Sequence, residues 1–290
     1  MFGVGKKLAR MVFAVRESRG ALPDQRPDYE QDATALATDR ELKKWLPLAG
    51  WFGADLDLLA ALSGTDKYGV HWYTPVYQAL MAPMRRKPVA LLELGVGGYG
   101  RSLGGESLLM WAAFFRKGRI YGIDIQDSTR LSMGRIKVFQ CSQVDRERLT
   151  RLGTELGPFD IVIDDGSHLN PHQIESFRIL WPFVKDGGCY ILEDVQTSYW
   201  PSFGGGDVGS PAYQRSCMAY FKRLVDSVNQ AEFLTQAAAE LELQSSIGSI
   251  AFHHNLIVLA KDSSVRQSNV PLQQENVRAM LRKPASTKAD

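Results

Sequence analysis

The sequence predicts an α/β fold of the Rossmann-like kind: a mostly parallel seven-stranded sheet closed by an antiparallel hairpin and preceded by a helical extension. Three observations carry that expectation. From Pro88 onward, short apolar runs alternate with amphipathic stretches, the pattern of strand and helix units around a parallel sheet. A glycine-rich run, GVGGYG from Gly95 to Gly100, directly follows the first of these apolar runs. The last two, 247–253 and 255–260, have almost nothing between them, and strands so close pair only as an antiparallel hairpin.

The elements follow in order. Residues 4–18 place Leu8, Met11, Val12 and Val15 at helical spacing and predict a helix packed on its own protein rather than on a membrane surface. Residues 19–35 are rich in Pro, Asp and Gln and read as a linker, and 36–88 read as mostly helical, with an aromatic-rich segment from Tyr68 to Tyr77. Strands are expected at 88–95, 119–125, 135–141, 159–165 and 188–194, with helices at 104–117, 145–156 and 171–185. A glycine-rich loop at 203–210 and a helix near 212–240 lead to the closing hairpin. The expected division is an N-terminal helical extension or lid over 1–87, a catalytic domain over 88–262 and a polar tail over 263–290.

Composition narrows the classes of function. A hydrophobic fraction of 44% with 23% charged residues is that of a soluble globular protein. Lys and Arg total 34 against 32 Asp and Glu, a net +2 that offers little attraction for nucleic acid and favours a small-molecule or oligosaccharide acceptor. The three cysteines, Cys141, Cys189 and Cys217, form no CxxC pair and fit a reducing, cytoplasmic compartment. No apolar run approaches the roughly 20 residues that cross a bilayer. Lys6, Lys7, Arg10 and Arg16 break the stretch that a signal peptide needs. Helices at 4–18 and 36–64, outside the sheet, offer surfaces for a homo-oligomer.

Gly95, Gly97 and Gly100 satisfy GxGxxG between a strand and a helix, where missing side chains let backbone amides approach a ligand. Asp124 ends the next strand, in the place where a carboxylate accepts hydrogen bonds from ribose hydroxyls. An NAD(P)-dependent oxidoreductase needs the same two features. Two others favour S-adenosylmethionine: ELGVGG, with Glu93 ahead of the glycines, resembles the ExGxG opening of class I methyltransferases, and those enzymes close their sheet with an antiparallel hairpin strand. Ser142 and Gln143, after the third strand, are candidates for adenine contact, and Tyr99 for covering the methionine part of the cofactor.

The more specific signal is acidic. DDGSH, Asp164 to His168, ends the fourth strand, and Glu193 with Asp194 ends the fifth, at the same carboxyl edge of the sheet as the glycine turn. Four converging carboxylates repel and need a cation, and oxygen ligands select a hard ion such as Mg²⁺. His168, three residues from Asp165, is placed to take a proton. The plainer alternative is that these acids only cap helices, although capping does not account for consecutive pairs on two neighbouring strands. His172 falls in the next helix and reads as a surface residue.

With ELGVGGYG, GIDIQD, FDIVIDDGSHLNPHQIESF and GGCYILEDVQTSYWP together, the chain resembles the macrocin and mycinamicin type of sugar O-methyltransferase. The likeness covers about residues 65–260 and takes in TDKYGVHWYTPVY and SIGSIAFHHNLIVLAK. It implies a Rossmann-like class I methyltransferase fold and methylation of a sugar hydroxyl in a glycosylated metabolite, glycolipid or oligosaccharide. It further implies Mg²⁺ held by Asp165, Glu193 and Asp194, with His168 as general base and Tyr73 in a lid over the cofactor. The S-adenosylmethionine contacts would be Glu93, Gly95, Gly97, Tyr99, Asp124, Ser142, Gln143 and Asp164. Tyr199 and Trp200 are candidates for stacking on a sugar face. Ala251-Phe252-His253 departs from the family's His-aromatic order and leaves the roles of His253 and His254 open. A catalytically silent protein that binds the cofactor is a further alternative, against which the intact acidic cluster argues.

Overall fold

The computed structural model describes residues 55–97, 104–233 and 246–264, together with Ala279. The expected helix at 4–18, the linker at 19–35, Tyr99, Gly100 and nearly all of the tail lie outside the described residues. Two helices precede the sheet, α1 (Leu56–Ser63) and α2 (Thr74–Met81). Then come β1 (Ala90–Leu94), α3 (Glu106–Phe114), β2 (Arg119–Asp124), β3 (Ile136–Gln140), α4 (Arg146–Leu156), β4 (Phe159–Asp164), α5 (Asn170–Leu180) and β5 (Val184–Leu192). Two short helices, α6 (Pro211–Gln214) and α7 (Cys217–Arg223), precede β6 (Ile247–His253) and β7 (Leu256–Lys261).

The seven strands form one sheet in the order β3-β2-β1-β4-β5-β7-β6. All neighbours are parallel except β7, which pairs antiparallel with both β5 and β6. This is the sheet that the alternating pattern and the short final connection predict. The closing turn is tight because Asn255 takes a left-handed φ of 57°, which Asn tolerates better than most residues. Chain direction across the sheet reverses between β1 and β4. A parallel α/β sheet opens a crevice beyond the carboxyl ends of its strands at such a switch point.

Strand pleating divides the core into two layers. Leu91, Ile161, Ile163 and Ile191 face one side, packed against Leu59, Tyr77, Trp111 and Phe114 from α1, α2 and α3. Leu92, Val162, Tyr190 and Leu192 face the other, where Leu149, Phe177 and Phe221 from α4, α5 and α7 cover them. Each fully buried side chain of this size contributes about 1.5–3 kcal/mol. Helices α1 and α2 thus share one hydrophobic cluster with the sheet. Among the described residues no helix is long and apolar enough to cross a membrane.

Three expectations need adjusting. The helix near 212–240 is broken into α6, α7 and a 3₁₀ segment over Leu224–Glu232, followed by residues outside the described set. The break has a local cause, since Ser210 and Ser216 each accept a backbone N–H and start a new helix. The fifth strand begins earlier than expected, at Val184, and ends at Leu192, so Glu193 and Asp194 stand beyond it. Within 36–88 the described part is two short helices with a loop, Gly64 to Tyr73, between them.

Candidate active site

The glycine turn is held against the acidic loop by a backbone contact that only glycine permits. Gly95 has φ +80°, and a Cβ there would overlap the carbonyl oxygen of Asp165. Its N–H donates to Ile123 O at 2.8 Å, while Asp165 N donates to Leu94 O at 3.0 Å. At Gly97 a Cβ would sit 2.8 Å from Asp124 Oδ2, which itself accepts from Val96 N at 3.1 Å and Gly97 N at 2.7 Å. Asp124 Oδ1 accepts from Gln126 N at 2.9 Å.

These residues open onto a cavity of about 780 Å³, within the size range of small-ligand sites. Gly95, Gly97, Asp124, Ser142, Gln143, Asp165, His168 and Asp194 line it. Gln143 is already committed on both sides of its amide: Nε2 donates to Asp164 Oδ1 at 3.1 Å, and Oε1 accepts from Ser167 N at 2.6 Å. It thereby fixes the DDGSH loop from beneath.

The four carboxylates expected to converge do not form one group. Asp164 ends β4 with its side chain on the opposite face, fully buried, where Ser176 Oγ and Tyr190 Oη donate to Oδ2. It does not line the cavity, a correction that follows from the pleat, because consecutive strand residues point to opposite faces. Burial raises its carboxyl to about 6. The expected ligand set of Asp165, Glu193 and Asp194 is likewise divided into two groups sharing Asp165. One contains Asp165, His168 and Asp194, and the other Glu93, Asp165 and Glu193.

The inner group surrounds a lysine that sequence reasoning did not single out. Lys67, in the loop before α2, is fully buried. Its Nζ donates to Asp165 Oδ2 at 2.6 Å and to Glu193 Oε1 and Oε2 at 2.7 and 2.8 Å, and it lies 3.2 Å from Glu93 Oε1. Burial alone would lower the ammonium, but Asp165, Glu193 and Glu93 outweigh it and hold Lys67 well above its ordinary value. Glu193 also accepts from Tyr77 Oη, and burial together with the Asp165 charge pushes its carboxyl well up despite Lys67. Glu93 accepts from Ser107 Oγ at 2.8 Å and Trp111 Nε1 at 3.2 Å. Neither Glu93 nor Glu193 lines the cavity.

The outer group does. Asp194 has φ 54°, a left-handed backbone that turns its side chain out of line with β5. Asp194 Oδ1 accepts from Tyr73 Oη at 2.7 Å and lies 3.3 Å from His71 Nδ1. His168, also left-handed at φ 55°, places Nε2 at 3.5 Å from Asp194 Oδ2 and 4.0 Å from Asp165 Oδ1, while its Nδ1 is buried with no hydrogen-bond partner. Although burial opposes it, the hydrogen bonds and nearby histidines leave the Asp194 carboxyl below its usual value, so it is ionised near neutral pH. Two carboxylates at the wall of an open cavity, with space for water or a hydroxyl, fit a hard divalent ion. Lys67, Tyr77 and His71 are the site residues that the spacing argument missed. They lie inside TDKYGVHWYTPVY, and a charged residue within an otherwise aromatic segment was the available signal.

The remaining candidates sit at the periphery. Tyr73 is buried against Asp194 rather than standing free over the cavity. Trp200 is half exposed and lines the cavity, whereas Tyr199 stacks on Tyr213 at 5.8 Å. His253 and His254 are exposed at the closing turn, away from the cavity lining. His172 accompanies the site, with Nδ1 2.9 Å from Ser167 Oγ.

No protein-family model matches the chain. It is 41% identical over 222 residues to the 8-demethyl-8-alpha-L-rhamnosyl tetracenomycin-C 2'-O-methyltransferase of Streptomyces olivaceus, a match covering 74% of this chain and 57% of that protein. It is 39% identical over 239 residues to the mycinamicin VI 2''-O-methyltransferase of Micromonospora griseorubida, covering 78% and 60%. With the demethylmacrocin O-methyltransferase of Streptomyces fradiae it shares 44% over 189 residues, covering 64% and 48%. A solved structure of the MycE methyltransferase from the mycinamycin biosynthetic pathway, in complex with Mg and SAH, superposes with a TM-score of 0.70 at 35% identity, covering 81% of this chain and 60% of that one. Another, with Mg, SAH and mycinamycin VI, gives 0.64 at 39% identity, covering 72% and 54%. The chain spans about half of the length of the curated relatives it matches.

Proposed function

This chain is a relative of the class I sugar O-methyltransferases of the macrocin and mycinamicin type, and from that kinship we propose that it methylates a sugar hydroxyl, using S-adenosylmethionine and Mg²⁺. The acceptor would be a glycosylated metabolite, a glycolipid or an oligosaccharide. One observation carries the reading: the Asp165 and Asp194 carboxylates and His168 Nε2 meet at the wall of the same cavity that the glycine turn and Asp124 line.

In this reading the backbone at Gly95 and Gly97 gives the cofactor a close approach, and Asp124 receives its ribose hydroxyls. Ser142 lines the expected adenine end of the cavity, and Gln143 contributes by holding its floor. Asp165 and Asp194 would hold Mg²⁺, which would supply a Lewis acid beside the acceptor hydroxyl. The cofactor supplies an already activated methyl group. His168 takes the hydroxyl proton at Nε2, the ring nitrogen directed towards the two carboxylates. Trp200, at the mouth, offers a flat apolar surface to the sugar.

The test uses the full chain in calorimetry with S-adenosylhomocysteine and, separately, NAD⁺, followed by turnover assays on deoxysugar glycosides with labelled S-adenosylmethionine. Binding of S-adenosylhomocysteine, and methyl transfer that EDTA abolishes and Mg²⁺ restores, is expected. Binding of NAD⁺ in its place, or full transfer after exhaustive chelation, would overturn the reading.

A further inference from the structure

Asn170 is fully buried at the start of α5, and all four hydrogen-bonding positions of its side chain are used. Nδ2 donates to Thr197 O at 3.1 Å and Phe203 O at 2.9 Å, while Oδ1 accepts from Cys217 N at 2.7 Å and Ser198 Oγ at 3.1 Å. The partners fix the orientation of the amide, since a backbone N–H can meet only its oxygen and two carbonyls only its nitrogen. One side chain thus joins the helix that follows the DDGSH loop to α7 and to the segment after β5, across 27, 33 and 47 positions.

Gln196, Thr197, Trp200 and Phe203 of that segment line the cavity. The segment runs as two 3₁₀ turns, Val195–Tyr199 and Pro201–Phe203. From Gln196 to Phe203 the buried side chains are those of Thr197 and Ser198, both polar, so hydrogen bonds rather than apolar burial hold this wall. Thr197 Oγ1 donates to Asp194 O at 3.0 Å near one end, and Gly206 N donates to Ser198 O at 3.1 Å near the other. Asn170 supplies the bonds that cross to the wall from α5.

We propose that Asn170 is a positioning residue for the acceptor: it fixes the wall that carries Trp200 and Phe203 relative to the DDGSH loop, and so governs acceptor binding while leaving the cofactor end of the cavity alone. The inference rests on the reading that this cavity takes a sugar beside Trp200. Asn170 itself does not line the cavity and acts through the backbone of Thr197 and Phe203, which do. The isosteric change Asn170→Asp retains an acceptor for Cys217 N and Ser198 Oγ but puts an oxygen where Nδ2 met two carbonyl oxygens. Those oxygens repel it, and the wall shifts while α5 keeps its link to α7.

The test compares wild type and Asn170→Asp, as full chains, by hydrogen exchange read by mass spectrometry, by calorimetry with S-adenosylhomocysteine, and by methyl transfer to p-nitrophenyl deoxysugar glycosides. In the variant the amides of residues 195–206 should exchange at least about tenfold faster, while those of β1 and β4 keep their rates. The dissociation constant for S-adenosylhomocysteine should stay within about twofold, and the acceptor KM should rise at least about fivefold with a smaller change in kcat. Exchange that is unchanged at 195–206, or raised equally throughout the chain, overturns the inference. So does a fall in kcat with KM unchanged, or a loss of S-adenosylhomocysteine affinity. Wild type that binds no S-adenosylhomocysteine, or transfers a methyl group to none of the glycosides, instead overturns the function proposed above, and the exchange result still decides whether Asn170 holds the wall. Should Asn170→Asp fail to fold, Asn170→Ser is measured in the same way, and failure of both to fold rejects a role confined to the wall.

Discussion

Gly97 N donates to Asp124 Oδ2 at 2.7 Å, so the carboxylate at the tip of β2 is already turned into the glycine turn. One side chain both orders the turn and faces the cavity. Replacing Asp124 with Ala removes the acceptor for Val96 N and Gly97 N as well as the anchor proposed for ribose. The dissociation constant for S-adenosylhomocysteine should rise at least about tenfold, roughly 1.4 kcal/mol. Calorimetry on the variant checks this, and an unchanged constant would remove Asp124 from cofactor binding.

Gly95→Ala tests the junction between the two halves of the site. The variant must place a methyl group against the Asp165 carbonyl at a φ of +80°. The combined strain and overlap should cost about 2–4 kcal/mol. Urea unfolding monitored by circular dichroism measures it, and a loss well under 1 kcal/mol would mean that the two loops separate easily.

His168→Ala separates proton transfer from binding. His168 Nε2 faces Asp165 and Asp194, whereas Gly97 N and Val96 N are held by Asp124. S-adenosylhomocysteine affinity should be retained while turnover falls by a factor on the order of 10² or more. Equal turnover in variant and wild type would assign the proton to another group.

The cysteines give a pH prediction. Burial pushes the Cys141 thiol up to about 11 and the Cys189 thiol up to about 12, and it raises Cys217 well above its ordinary value. A raised thiol pKa leaves little reactive thiolate at pH 8, with the fraction growing only as pH climbs towards those values. Native protein should therefore resist a disulfide reagent at pH 8 and expose three reactive thiols after denaturation. Rapid labelling of the native protein at that pH would show that the core opens around them.

Most of the fold was legible in the sequence because its signals are local. Hydrophobic alternation located the strands to within a few residues, and the near absence of a connection after His253 forced the antiparallel closure. Glycines followed by acidic strand ends marked the carboxyl edge of the sheet, where the cavity lies. What the chain pattern also contained, and a reading by convergence overlooked, is the pleat: DD and ED are consecutive pairs, so adjacent side chains start out on opposite faces. Asp164 and Asp165 divide in just that way.

The pairing of the inner partners was not legible, although Lys67 stood out in its aromatic segment, since no local rule links residues so far apart. Lys67 meets Asp165 across 98 positions and Glu193 across 126, while Tyr77 reaches Glu193 across 116. By itself, then, the sequence determined the sheet, its closure and the edge that carries the chemistry, through periodicity and turn geometry. Only tertiary packing decided which carboxylates face the cavity and which are held by a buried ammonium. The physical reason is that a charge loses water only where the fold supplies its partner, and that partner comes from a loop far away along the chain.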